Sequence, residues 1–342
     1  MRNISILKIL TPLLGLAMAV QAEPSQRTLV VTATNANQNQ LLVYDSSGNL
    51  IQTVSTKGQG GVSGNAGGIA TRDNLVAVVN FGSKSVSIFK LEFDGFHMTQ
   101  SISARSNPVS VAFGADHLYI LGTTTIESHQ MYSSEVGWLD GLATLLHADG
   151  TAAQVGVLPN QIIVTEKSNM IETVNLTNGA VGGVPTAVSN LPGNVDTPFG
   201  LVTRGDDAYV TIAHADETSL VRNGTVLTTT ASGTQHAPCW ATLLGPFLYT
   251  GNTGSQTVSR YAVYGQKIVQ DAAIVASQNG ATTDIASGPG MIAVIDGSGQ
   301  TSHLSIYTVD EDGNFTLVHS ATINAAANGV AVVPASSERF DH

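Results

Sequence analysis

The sequence predicts an all-β fold, a seven-bladed β-propeller closed by its own C-terminal strand, and three observations carry that prediction. Apolar segments ending at Asn35, Asn80, Thr123, Glu166, Ala213, Asn252 and Asp296 recur at intervals of about 43 residues. The composition is rich in Gly (35 residues) and poor in charge (11%), with Thr, Ser, Val and Ala filling much of the remainder, which suits short strands and tight turns. The chain also opens on an apparent second strand, Leu29 to Asn35, and closes on an apparent innermost strand, Asn328 to Val333. Joined, these halves complete one blade, whereas a solenoid would leave two ends in need of polar caps.

From the N-terminus, Arg2 and Lys8 flank an apolar run from Ile4 to Val20 that ends in Val20-Gln21-Ala22. This reads as a secretory leader over residues 1–22, leaving one propeller domain over 23–342. A membrane anchor is disfavoured because Lys8, Thr11 and Pro12 break the run below the roughly 20 residues a bilayer needs. A secreted, extracellular monomer is expected. The net charge of −11 repels phosphate backbones and argues against nucleic acid as a partner.

Each repeat then shows three strands and an outer edge strand. The inner strands are GGIAT, PVSVAF, AQVGVL, PFGLVT, PCWATLL, TDIASG and NGVAVV, and polar turns follow the second strands. In the second repeat, TTIESHQMYSSEVGWLDG after Thr123 departs from the pattern. It reads as a distorted blade or as a loop in which Met131, Tyr132 and Trp138 form a partial lid. Gly58-Gln59-Gly60-Gly61 does not open a helix, so it is no dinucleotide fingerprint, and no G-x-S-x-G motif is present.

The single cysteine, Cys239, excludes an intramolecular disulfide and reads as a buried, inert thiol beside Trp240. Sequons at Asn175, Asn223 and Asn314 are glycosylation candidates at loops if the source is eukaryotic. Arg204-Gly205-Asp206 and Asp310-Glu311-Asp312-Gly313 read as ordinary hairpin turns.

HAPCWATLLGPFLYTGNTGSQTVSRY (236–261), TPFGLVTRGDDAYVT (197–211) and HLSIYTVDEDGNFTLV (303–318) resemble the seven-bladed lactonase-like propellers. That family of YVTN-type proteins includes phosphogluconolactonases and carboxymuconate cyclases. The resemblance covers essentially the whole mature chain and looks closest to secreted fungal cyclase-like members. It implies action on a small lactone or an unsaturated carboxylate. Family enzymes carry His-Pro-His or Pro-Arg-His clusters at inner-strand starts. Here those places read Asn107-Pro108-Val109-Ser110 and His236-Ala237-Pro238-Cys239, without the arginines that hold a phosphate or carboxylate. The alternative is therefore a non-catalytic secreted propeller that recognises a glycan, a cell-wall component or a host protein.

In a propeller, loops entering the inner strands and loops leaving the second strands meet at one channel mouth. Glu166, Lys167, His214 and His236 are the candidate catalytic residues there. Glu166 or His236 would serve as general base, with Lys167 or His214 as electrostatic partner, and a cyclase would draw its proton donor and acceptor from the same set. Asn35, Asn80, Asn107, Asp196, Asn252, Asp284, Asp296 and Asn328 are candidate ligand-binding residues around them, although Asn and Asp also end strands for purely local reasons. A divalent cation such as Ca²⁺ is a further expectation, with Glu166, Asp196, Asp284 and Asp296 as oxygen donors.

Overall fold

A computed structural model describes residues 27–335 apart from 194 and 298, so the expected leader lies outside the described residues. Seven antiparallel sheets surround a central axis. Blade 1 spans 69–103, blade 2 108–144, blade 3 152–187, blade 4 198–231, blade 5 238–277 and blade 6 281–323. Blade 7 is composite. Asn328–Ala335 forms its innermost strand and pairs antiparallel with Arg27–Ala33, with Val31 opposite Ala331. The expected closure is therefore how the ring forms. It leaves no inner edge unpaired where the two chain ends meet.

Strand alternation explains why the blades stack. In Arg27–Ala33, Leu29 and Val31 face a cluster with Val76, Val78 and Phe89 of blade 1, while Val30 faces Ala293, Ile295 and Leu304 of blade 6. Each such side chain removed from water contributes about 1.5–3 kcal/mol. Toward the axis the blades converge, and at some close approaches only glycine fits. A Cβ on Gly200 would fall 2.3 Å from the Cys239 carbonyl oxygen of the next blade, and one on Gly156 would fall 2.3 Å from Leu201 Cδ1.

Two local expectations are corrected. The stretch after Thr123 is no lid: Thr125–Tyr132 and Glu135–Thr144 form the third and outer strands of a complete blade 2 whose pairing is bulged between Ser128 and Met131, Met131 is buried, and Tyr132 and Trp138 stand on the outer wall rather than over the mouth. The departure from the four-stranded pattern is in blade 3, where two short strands, Ala180–Val181 and Thr186–Ala187, replace one outer strand. Asn175, Asn223 and Asn314 are all exposed, but Asn175 lies within the strand Met170–Thr177 and not in a loop.

Candidate functional site

Antiparallel pairing places the ends of the second strands beside the starts of the inner strands, as Asn252 opposite Pro238 and Glu166 opposite Ala152 show, so the expected mouth exists. It is not open. The longest blade-to-blade connection, residues 56–68, folds over the axis and fills it. Asn65 donates to the Val109 carbonyl (2.6 Å) and exchanges amide hydrogen bonds with Asn328 (2.9 and 3.2 Å), Ala66 donates to the Ala153 carbonyl (3.1 Å), and Trp240 Nε1 donates to the Asn65 carbonyl (3.3 Å). The plug thus contacts blades 2, 3, 5 and 7. Beneath it a cavity of about 200 Å³ remains, lined by inner-strand residues including Gln154, Trp240, Asp284 and Val330.

The plug explains several residues expected to line the mouth. Asn35, in the left-handed region at φ 54°, holds its base: Oδ1 accepts from Gly61 N and Val62 N (2.7 and 3.0 Å), and Nδ2 donates to the Val62 carbonyl (2.8 Å). Asn328 is committed to Asn65, and Asn107 donates to the Phe81 carbonyl (2.8 Å). Asp284 lies below the plug, where its oxygens accept from Ile285 N and Val330 N (2.8 and 3.1 Å), and burial pushes its carboxyl up to about 7.

Asn80 and Asn252 are internal clamps rather than ligand groups. Each is fully buried and donates to a serine two residues along the neighbouring strand, Ser87 (2.8 Å) and Ser259 (2.7 Å) respectively. Asp296 is the blade 6 counterpart, accepting from Asn279 N (3.0 Å) and paired with His303 Nδ1 (2.8 Å). These are the buried polar groups that must be satisfied inside the sheet stack.

Glu166 occupies the same position in blade 3, and this overturns its assignment as a solvent-facing base. It is buried, neither carboxylate oxygen has a hydrogen-bond partner, and burial together with the neighbouring Glu172 carboxylate pushes its pKa up to about 8. Glu172, in the serine position of the clamp, accepts from Leu146 N at the end of blade 2 (2.9 Å). Glu127 does the same one blade earlier, accepting from Arg105 N (3.3 Å), and its pKa is raised by burial to about 7. These glutamates strap consecutive blades together. Glu166 is the last residue of the strand Gln161–Glu166 and is buried, whereas Lys167 opens the turn that follows.

Lys167 does reach the mouth. Its Nζ donates to the Gly64 carbonyl of the plug (2.5 Å) and lies 5.9 Å from the centre of the Phe199 ring. Partial burial lowers its pKa. Beside it, Asn169 Oδ1 accepts from Thr197 N (3.0 Å), which carries the site onto blade 4. Thr197 Oγ1 donates to Asp196 Oδ1 (3.0 Å) and accepts from His214 Nδ1 (2.9 Å), so His214 carries its proton on Nδ1 and leaves Nε2 free. On blade 5, His236 Nδ1 lies 2.8 Å from Asp216 Oδ2, while Asp216 Oδ1 accepts from Ala237 N (2.7 Å). Thr197 (φ 58°) and Ala237 (φ 53°) both occupy the left-handed region, and both precede a proline, which disfavours helical backbone in the residue before it. Strain of this kind persists where surrounding bonds enforce it, and it recurs at functional sites.

The structure therefore gathers Lys167, Asp196, His214 and His236 on one sector of the rim, over blades 3 to 5, and removes Glu166 from it. Sequence reasoning missed Asp216 and Thr197, which orient the two imidazoles. It also missed the plug, although the glycines at 58, 60, 61, 64, 67 and 68 are its signature. The expected cation donors are dispersed. Among the described residues, no three of Glu166, Asp196, Asp284 and Asp296 bring ligand atoms within 4.8 Å of one another; the grouping that does is Glu92, Asp94 and His97 on an exposed hairpin.

No family model matches the sequence, and no curated protein matches it. Solved structures do. A candidate 6-phosphogluconolactonase of Bacteroides fragilis superposes with a TM-score of 0.67 at 14% identity, covering 91% of this chain and 99% of its own. The chain shares its seven-bladed fold. A protein of unknown function from Desulfotomaculum acetoxidans matches with a TM-score of 0.66 at 11% identity (91% and 100% covered). The periplasmic gluconolactonase of Pseudomonas aeruginosa matches with a TM-score of 0.63 at 13% identity (90% and 99% covered). These three are bacterial, and the expected kinship with fungal members has no counterpart among them.

Proposed function

We propose that this propeller is a lactonase-type hydrolase that opens a small lactone at the rim over blades 3 to 5. The observation that carries the reading is the His236–Asp216 couple: Nδ1 is held 2.8 Å from the carboxylate on an imidazole that is 67% exposed, which leaves Nε2 facing solvent at the mouth. An imidazole oriented by a carboxylate can act as a general base. In the proposed reaction His236 Nε2 takes a proton from water as its oxygen attacks the lactone carbonyl. The acyl C–O bond of the ring then breaks, and the imidazolium returns the proton to the leaving ring oxygen, giving the open hydroxy acid. Lys167, with two N–H donors left after its bond to Gly64, offsets the negative charge on the carbonyl oxygen. The fold shared with a gluconolactonase supports lactones as the substrate class. Export through the leader is part of the proposal and favours an unphosphorylated lactone.

The plug supports a second reading, in which the mouth binds without catalysis. A pH-stat assay over a panel of five- and six-membered sugar lactones separates the two. Under the hydrolase reading His236→Ala and Asp216→Asn lower turnover by roughly 10²-fold or more with an unchanged melting temperature. A wild-type protein that hydrolyses none of the panel above the uncatalysed rate rejects it in favour of binding.

A further inference from the structure

We propose a second ligand site, independent of the mouth, on the outer wall between blades 1 and 2, where the ligand is an acidic saccharide: a pyranose bearing a carboxylate. The outer strands Gly95–Ser103 and Glu135–Thr144 do not pair with each other. The Gln100 side chain bridges them, its Oε1 accepting from Val136 N (2.8 Å) and its Nε2 donating to the Val136 carbonyl (3.0 Å). One side-chain amide thus takes the place of a ladder rung and holds the two edges a side chain apart. The trough so formed has a volume of about 700 Å³, within the range of small-ligand sites.

Its lining has the chemistry of sugar recognition. His129, at the trough, is only 4% exposed, and its Nδ1 bonds the Gly137 carbonyl (3.2 Å), so the proton is on Nδ1. Nε2 is then a buried lone pair with no partner, and burial keeps the ring neutral. The walls carry two aromatic rings in water, Trp138 (93% exposed) and Tyr132 (61%), both lining the trough. A flat indole in solvent offers its face to the C–H face of a pyranose, the arrangement in which an aromatic ring is apolar on one side and wet on the other. Arg105 and Glu135 both line the trough. In a chain of net charge −11, a guanidinium lining the trough selects a carboxylate, which it can grip with two parallel N–H donors, while Glu135 accepts from hydroxyls.

The test uses the secreted mature protein and two probes of equal length, a galacturonate tetramer and a neutral cellotetraose, with binding read by titration calorimetry and tryptophan fluorescence. The two tryptophans separate cleanly, since Trp240 is buried and Trp138 is not. The acidic probe is expected to bind at least tenfold tighter than the neutral one and to quench the exposed indole. Trp138→Ala weakens the acidic probe tenfold or more. Arg105→Ala removes the preference and leaves cellotetraose binding unchanged. Both residues are exposed, so both variants keep the wild-type melting temperature, which is measured alongside. Lactone hydrolysis is unaffected in either variant, which keeps this site's failure distinct from that of the mouth. Equal binding of the two probes, no binding of either, or binding that survives Trp138→Ala overturns the proposal.

Discussion

Replacing Glu166 by Gln should stabilise the protein at pH 8, leave its stability near pH 4 almost unchanged, and leave turnover within about twofold of wild type. The folded chain raises this carboxyl from 4.5 to about 8, because it is buried beside Glu172. Between those values the native state holds a proton that the unfolded state has released. The contribution of the group is therefore fully present below about pH 4.5, is lost by about 1.4 kcal/mol per pH unit as pH rises through the window, and levels off above about 8. Taken at face value the whole window is on the order of 5 kcal/mol, and solvent relaxation close to the mouth reduces this to about 2–3 kcal/mol. Gln keeps the shape of a protonated carboxyl, carries no charge to bury, and offers an N–H to the unpartnered Glu172 Oε1. With an unfolding entropy of about 2.1 cal/mol/K per residue, the gain corresponds to a melting temperature higher by roughly 4 °C at pH 8. Thermal unfolding of both proteins from pH 4 to pH 9, with initial rates on the best lactone, measures it. A wild-type melting temperature that climbs between pH 5 and 8, or a variant less stable than wild type at pH 8, refutes the burial argument. A hundredfold loss of turnover in a folded variant returns Glu166 to the role of general base.

Three further outcomes follow from the same architecture. Deleting residues 328–342 removes the innermost strand of blade 7 and exposes the edge of Arg27–Ala33, so the truncated chain should aggregate, and a monomeric, cooperatively unfolding product in size-exclusion and thermal assays contradicts the closure. Gly67→Ala places a Cβ 2.8 Å from Ser110 Oγ at φ +64°, and should destabilise the plug and the protein by about 1–3 kcal/mol in denaturant titration; no loss would mean that the plug is not fixed as described. Cys239 is only half-buried, not fully buried as expected, yet partial burial pushes its thiol up to about 11, so it should resist a disulfide reagent at pH 8 in the native protein and react once unfolded, whereas rapid native labelling would place it in a reactive environment.

The strand endings from Asn35 to Asp296 determined the blade count by themselves, because every blade repeats the same apolar alternation and the chain ends are complementary halves of one sheet. They also placed Lys167, His214 and His236 at one mouth, since loop position follows from strand order alone. What strand order does not encode is direction and partner. The strand ends at Glu166 and the turn begins at Lys167, so two neighbours in sequence separate into a buried strap and a rim cation. Asn80 and Asn252 read as ligand groups until their serine partners across the sheet account for them. Asp216 became a functional candidate only when the turn after His214 carried it to His236, twenty residues on. The plug was written in glycines at 58–68, yet its path across the axis depends on carbonyls and side chains of blades 2, 3, 5 and 7, which the ring must close before it can supply.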